Sequence, residues 1–89
     1  MTDVYKIHSR RKEAYKPHKL ARSVMASCLS VRSPIGEAKL TAEQVVGHVG
    51  RWLASKEEVT SHDLRVHAAH YLETYNPDAA YILKNDYTK

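Results

Sequence analysis

Apolar residues recur at three- and four-residue spacing in several segments of the chain, which is the period of an amphipathic helix. The first such segment begins at Pro17, a residue suited to the first position of a helix. Behind it, one helical face collects four apolar side chains, Leu20, Val24, Cys28 and Val31. The pattern therefore predicts a first helix whose apolar face points into a core.

A second helix is predicted from a capping box. Thr41 is followed three residues later by Gln44, and Leu40 and Val45 are spaced to close a hydrophobic staple across the first turn. The core-facing stripe of this helix is Val45, Val49, Trp52 and Leu53. Residues 33–36, which contain a proline and a glycine, are predicted to form the preceding loop.

Two further helix starts lie close together in the C-terminal half. Thr60 with Asp63 three residues on predicts a third helix over residues 61–75. Its apolar face is Leu64, Ala68, Tyr71, Leu72 and Tyr75. Asn76 can cap a fourth helix that has Pro77 at its first position. The sequence therefore predicts four helices that are separated by short breaker segments.

The N-terminal segment has a different pattern. Residues 4–7 mix β-branched, aromatic and basic side chains, which suits a short strand, and residues 13–15 could return as a second strand. We therefore predict a single α+β domain over residues 1–89, mostly α. It is a four-helix bundle capped by a small N-terminal β-hairpin.

Composition narrows the class of protein. The chain has 89 residues, 43% of them hydrophobic and 27% charged, as in an ordinary globular domain. The single cysteine, Cys28, excludes an internal disulfide and a cysteine-based zinc site, and its place on an apolar stripe predicts a small buried hydrophobe. With no apolar run near the ~20 residues that span a bilayer and no signal-peptide pattern, we expect a cytoplasmic protein without a membrane partner.

Enzymatic chemistry finds little support in the sequence. His62, His67 and His70 all fall on the third helix, but no carboxylate or cysteine is spaced to complete a metal site with them. They are interpreted as surface or boundary residues. Catalytic fingerprints such as a nucleophile elbow or a phosphate loop are missing, so we predict a non-enzymatic protein.

The formal charge of +4 is concentrated in the first third of the chain. Such a cluster could be no more than a solvated face. If the strand segment packs over the start of the first helix, however, Arg10 or Arg11 converges with Lys19 beside the helix N-terminus. That arrangement suits a polyphosphate, with Tyr5 or Tyr15 available to cover a base. A nucleotide is the natural ligand.

Three short stretches resemble the ATP-cone, a small regulatory nucleotide-binding domain. They are residues 19–24 (KLARSV), 59–64 (VTSHDL) and 79–84 (AAYILK), which follow the order and spacing of that family over nearly the whole chain. The resemblance implies a four-helix bundle capped by a small mixed sheet of about three strands, with ATP or dATP between sheet and helices. The family's phosphate-binding lysine falls on Lys19, a nucleotide-contacting threonine on Thr60, and a terminal basic position on Lys84.

The resemblance also implies a role. ATP-cones are allosteric appendages of ribonucleotide reductases, or of a repressor of their genes, and they commonly act by changing oligomeric state. The expected ligands are therefore ATP or dATP, which can bring Mg²⁺ with them, and the expected partners are further copies of the chain or a larger regulated protein.

The chain departs from the family in the turn after the first strand. Residues 7–12 read IHSRRK in place of the Lys-Arg-Asp-Gly pattern, and His18 stands where an aspartate usually precedes the lysine. Arg10 and Arg11 can substitute for the basic pair. Two alternatives stay open: a degenerate cone that serves as a protein-interaction module and, less favoured, a small basic helical domain that binds nucleic acid.

Overall fold

The structure, a computed structural model, describes residues 3–6, 11–56 and 58–85. This part of the chain is mostly helical, as predicted. The four helices are α1 (Pro17–Ser30), α2 (Ile35–Leu53), α3 (Ser61–Leu72) and α4 (Pro77–Asn85). Helix α1 packs against α2 and α4, and α3 also packs against both of those helices. The predicted helical bundle is the body of the molecule.

Three short extended segments lie beside the helices. They are β1 (Asp3–Lys6), β2 (Arg11–Ala14) and β3 (Glu58–Thr60). Segment β1 is central, with β2 antiparallel on one side and β3 parallel on the other. Because β2 leads into α1 and β3 leads directly into α3, two helices begin next to the same small set of strands.

The apolar stripe of α1 lies in the core. Leu20, Val24 and Cys28 are buried, and Cys28 is a free thiol only 1% exposed. Burial raises the pKa of this thiol. The prediction that Cys28 is a small buried hydrophobe is therefore confirmed. The other helices contribute Ala38, Ala42, Val45, Val49, Leu53, Ala68, Ala69, Leu72, Ala79, Ala80 and Leu83 to the same core.

The predicted start of the second helix is wrong. Helix α2 begins at Ile35, so residues 35–36 of the expected loop are helical and Thr41 lies inside the helix. Leu40 is 58% exposed and cannot close a staple over the buried Val45. The helix extends backwards because Ala38 continues the buried face, seven residues before Val45. Alanine carries too weak a hydrophobic signal for the sequence pattern to show this.

The predicted end of the third helix is also wrong. Helix α3 ends at Leu72, and residues 73–75 form a turn in which the Asn76 amide donates to the Leu72 carbonyl at 2.8 Å. Pro77 disfavours helical backbone at the residue before it, so the chain leaves the helix ahead of Asn76. The predicted cap of α4 is confirmed, because Asn76 Oδ1 accepts from the Ala79 amide at 3.1 Å.

Helix α1 ends in a Schellman motif. The Ser33 amide donates to the Cys28 carbonyl and the Arg32 amide to the Leu29 carbonyl, each at 3.0 Å. Arg32 takes the left-handed position with φ 67°, where glycine is usual. Asn76 Nδ2 then donates to Ser33 Oγ at 3.0 Å, so the α1–α2 turn and the α3–α4 turn are joined at one end of the bundle.

Among the described residues, no helix combines the length and the apolar character that a membrane span requires.

Candidate functional site

Helix α1 begins without a side-chain cap. Only Tyr15 and Lys16 separate it from β2, and Lys16 occupies the N-cap position with extended backbone (φ −119°, ψ 99°). Among the side chains that the structure describes, none accepts a hydrogen bond at this position, and Pro17 has no N–H group. The start of α1 therefore lacks the hydroxyl or carboxylate that usually satisfies the first free N–H groups of a helix.

The charges around this uncapped end are positive. Lys16 and Lys19 are exposed, His18 is exposed between them, and the first turn contains no acidic residue. A helix N-terminus already carries about half a positive charge, so each nearby cation is unfavourable by roughly 0.3–1 kcal/mol. The Lys19 amide already donates to the Lys16 carbonyl at 3.0 Å, so an anion bound here would accept from the His18 amide and would offset the repulsion between the cations and the helix end.

The strand register places some of the predicted site residues next to one another. Tyr5 on β1 is opposite Thr60 on β3 and Lys12 on β2, while Lys6 is opposite Arg11. Neighbouring strands lie about 4.8 Å apart, so β2 and β3 are separated by roughly twice that distance across β1. The backbones of Tyr5 and Thr60 are therefore adjacent, and Arg11 lies on the opposite outer strand.

The other predicted site residues are placed as follows. Lys19 is exposed in the first turn of α1, five residues after Ala14, the last residue of β2. Thr60 caps α3, its Oγ1 accepting from the Asp63 amide at 3.0 Å, which confirms the predicted cap. Arg10 lies outside the described residues. Lys84 lines a separate groove between α3 and α4, beside His70 and Tyr81. Lys19 and Thr60, the other predicted residues whose side chains the structure describes, do not line that groove.

Tyr15 packs against the core at the junction of β2 and α1. Its side chain is partly buried, and its hydroxyl is buried without a hydrogen-bond partner in the part of the chain that the structure describes. Burial raises the pKa of this phenol. The sequence left two roles open for Tyr15, covering a base or packing in the core. These contacts support packing in the core.

A column of aromatic rings joins α2 to α3, and sequence analysis missed it. His67 stacks on Trp52 with ring centroids 4.0 Å apart, and His48 stacks on Tyr71 at 3.8 Å. His48 and His67 in turn face each other at 5.1 Å. Tyr75 extends the column edge-on, and its hydroxyl lies 3.1 Å from that of Tyr71. The rings alternate between the two helices, so they hold α2 and α3 in register.

His67 is the electrostatically unusual member of this column. Its Nε2 is buried and has no hydrogen-bond partner among the described residues. Burial lowers the pKa of His67, and the neighbouring charges of His48, His70 and Lys56 lower it further. A neutral imidazole is therefore favoured in the folded protein, which suits a ring stacked between other rings.

The histidines do not form a metal site in the described part of the chain. No group of three or more histidine, cysteine, aspartate or glutamate residues is placed there to hold an ion. A cavity of about 530 Å³ instead opens beside the start of α3, where Trp52, Lys56, His62 and Asp63 are among its lining residues.

The spacing that could have indicated the column is present in the sequence. His48 and Trp52 are four residues apart, and so are His67 and Tyr71, which places each pair on one helical face. Nothing local shows that the two faces meet. The candidate site itself is the uncapped, cationic start of α1, which follows β2 in the chain. Among the described residues the strands pack against α3 and not over the start of α1, which differs from the packing expected from sequence. Comparison with protein-family models, curated proteins and solved structures finds no match to this chain.

Proposed function

We propose that this chain is a non-catalytic regulatory domain that binds ATP or dATP at the junction of β2 and α1, as an ATP-cone does. The observation that carries the proposal is the start of α1, which has no cap and no acidic residue and is flanked by Lys16 and Lys19. A polyphosphate supplies the acceptor oxygens and the negative charge that this end lacks. The mixed pairing of the three strands beside the bundle also suits a cone.

In this proposal most of the predicted residues have a defined part. Lys19 binds a phosphate group by a charge-assisted hydrogen bond, with Arg10 and Arg11 as further cations from the strand side. Tyr5 and Thr60, adjacent in register, lie on the side of the base and ribose. Lys84, which the resemblance also assigns to the nucleotide, lies in the separate α3–α4 groove and has no assigned contact in this proposal. Mg²⁺ would enter with the nucleotide, because its ligands are largely phosphate oxygens and water.

Binding would regulate by changing how copies of the chain or a larger partner associate. A nucleotide bound at the start of α1 would add contacts between α1 and β2, which the two residues Tyr15 and Lys16 connect. Its differential affinity for two arrangements shifts the equilibrium between them. Association state is therefore the expected readout.

The test is isothermal titration of ATP and dATP into the wild type, Lys19→Ala and Lys39→Ala, with light scattering on the same samples. Lys39 is a matched control, since it is an exposed lysine near the start of α2, where Glu37 is present in the first turn. We expect Lys19→Ala to weaken binding at least about tenfold, the loss of one charge-assisted hydrogen bond, while Lys39→Ala binds like the wild type.

Two results would contradict the proposal. One is folded wild-type protein that gives no heat with either nucleotide at millimolar concentration. The other is equal loss of affinity in Lys19→Ala and Lys39→Ala, which would indicate attraction by net charge alone. A mass that stays constant on ligation would reject control of self-association, and the search would then turn to a larger partner.

A second candidate function is a protein-interaction module with a vestigial nucleotide site. The observation that favours it is apolar exposure at the start of α2, where Ile35 is 69% and Leu40 58% exposed. Exposed side chains of this size are enriched where proteins dock. Ile35→Ser with Leu40→Ser would then weaken a partner's binding equally with and without nucleotide, whereas nucleotide-dependent binding would reject this candidate.

A further inference from the structure

A second basic feature lies along α1, beyond the uncapped end. A groove of about 370 Å³ runs between α1, α3 and α4. It is lined by Arg22, Ser23, Ala26, Ser27, Ser30, Arg65, Ile82 and Leu83. These residues include two arginines and no carboxylate. The groove therefore combines net positive charge with an enclosed volume, which a single exposed cation does not provide.

The two arginines are held differently. Arg65 is half-buried, and its Nη1 donates to the Leu83 carbonyl at 3.1 Å. That bond fixes the guanidinium at the wall of the groove and uses one of its five N–H donors. Arg22 is exposed on α1. Arg65 thus has a structural partner at the end of α4, but most of its donors, like those of Arg22, stay open to a ligand.

The serines contribute one free donor. The hydroxyls of Ser27 and Ser30 donate to carbonyls within α1, at 3.0 and 2.9 Å, so their protons are already used. The Ser23 hydroxyl lies beside Arg22 on the exposed side of the helix. Two guanidinium groups, one on α1 and one on α3, and the Ser23 hydroxyl thus line the same groove, and such donors suit an oxyanion.

From this geometry we propose that the Arg22–Arg65 groove is a binding site for the phosphate group of a small organic phosphate monoester. Two guanidinium groups balance the charge of a phosphate dianion, whereas a carboxylate would leave one of them uncompensated. Ala26, Ile82 and Leu83 provide apolar wall for the carbon part of the ligand. The groove is distinct from the proposed nucleotide site, which is centred on Lys19 one turn earlier.

The experiment is an NMR titration of ¹⁵N-labelled protein with inorganic phosphate and, separately, with butyl phosphate, at constant ionic strength. Three variants are compared with the wild type: Arg22→Gln, Arg65→Lys and Arg51→Gln. Arg51 is the matched control, because it is an exposed arginine on α2. Arg65→Lys keeps the charge and loses the planar fork, so it reports on the geometry of the site.

We expect saturable shifts of the Ser23, Arg65 and Leu83 amides, with butyl phosphate binding more tightly than inorganic phosphate. Arg22→Gln should weaken binding about tenfold and Arg65→Lys severalfold, while Arg51→Gln binds like the wild type. Because Arg65→Lys could also loosen the end of α4, Arg22→Gln decides the case if the spectrum of Arg65→Lys shows unfolding.

Four outcomes would overturn the proposal. Non-saturable shifts would indicate general attraction of ions, and equal losses of affinity in Arg22→Gln and Arg51→Gln would have the same meaning. Butyl phosphate binding no better than inorganic phosphate would reject an organic ligand. Shifts centred on His18 and Lys19 that persist in Arg22→Gln would reject this groove and support the nucleotide site instead.

Discussion

The two strand-to-helix junctions of this domain are built in opposite ways. At β3–α3, Thr60 caps the helix through the Asp63 amide, and Asp63 adds negative charge to the first turn. At β2–α1, Lys16 provides no cap and the first turn has no acidic residue. The first helix start is capped by a side chain of the chain itself, and the second is the one at which we propose that an anion binds. The cap at α3 contributes to stability, whereas the start of α1 leaves room for a ligand.

The largest effect is expected when a helix cap is introduced at the start of α1. Lys16→Asp supplies both a cap and a negative charge where an anion is proposed to bind. We expect nucleotide affinity to fall more than tenfold, while the free energy of unfolding rises by about 1 kcal/mol, the usual value of an N-cap. Titration calorimetry and urea denaturation measure the two quantities on the same preparation.

The control for that variant is Lys39→Asp, which changes net charge equally but lies on α2. It should leave nucleotide affinity within about twofold of the wild type, as expected for a charge beyond a Debye length from the site. A lower free energy of unfolding or an unchanged nucleotide affinity in Lys16→Asp would contradict an anion-binding site at the start of α1.

The opposite experiment removes the cap that α3 has. Thr60→Ala loses the 3.0 Å hydrogen bond to the Asp63 amide, so the free energy of unfolding should fall by about 1 kcal/mol. In a domain of this size that corresponds to a melting temperature lower by roughly 4–8 °C. Thr60→Ser keeps the hydroxyl and should retain most of the stability. Equal losses in both variants would show that the methyl group of Thr60, and not the cap, is what matters.

The smallest expected effect is the pH dependence of stability that His67 on α3 contributes. Since the pKa of His67 is lowered in the folded state, the unfolded chain binds the proton more readily. Stability is therefore complete above about pH 6.5 and declines as the pH falls through that value toward the lower folded pKa. The part due to His67 should lower the melting temperature by less than about 4 °C, because the ring is only partly buried and solvent screens its charge.

His67→Gln tests this assignment, with His62→Gln as the control, since His62 is exposed on the same helix. Melting temperatures at pH 7.5 and pH 5.0 should differ less in His67→Gln than in the wild type. His62→Gln should behave like the wild type. An unchanged difference in His67→Gln would assign the pH response to other groups.

The features predicted correctly from sequence are determined by residues that lie close together in the chain. The caps at Thr60 and Asn76 needed only neighbouring residues, and the buried stripe of α1 needed only its own period. The start of α2 was mispredicted because Ala38 is buried by what packs over it and not by strong hydrophobicity of its own. Its burial is a tertiary property.

The features of the candidate sites also fall into two groups, those visible in the local sequence and those that need the packed structure. The absence of a cap at Lys16 and the cations around it can be read along the chain, because a helix start depends on adjacent residues. The shared groove of Arg22 and Arg65, and the stacking of His48 on Tyr71, depend on residues more than twenty positions apart, which only packing of the helices brings together. The sequence by itself determined the presence of four helices, the caps at Thr60 and Asn76, and the charge of α1. The tertiary structure decided which faces meet, since side-chain packing between distant segments has no local signature.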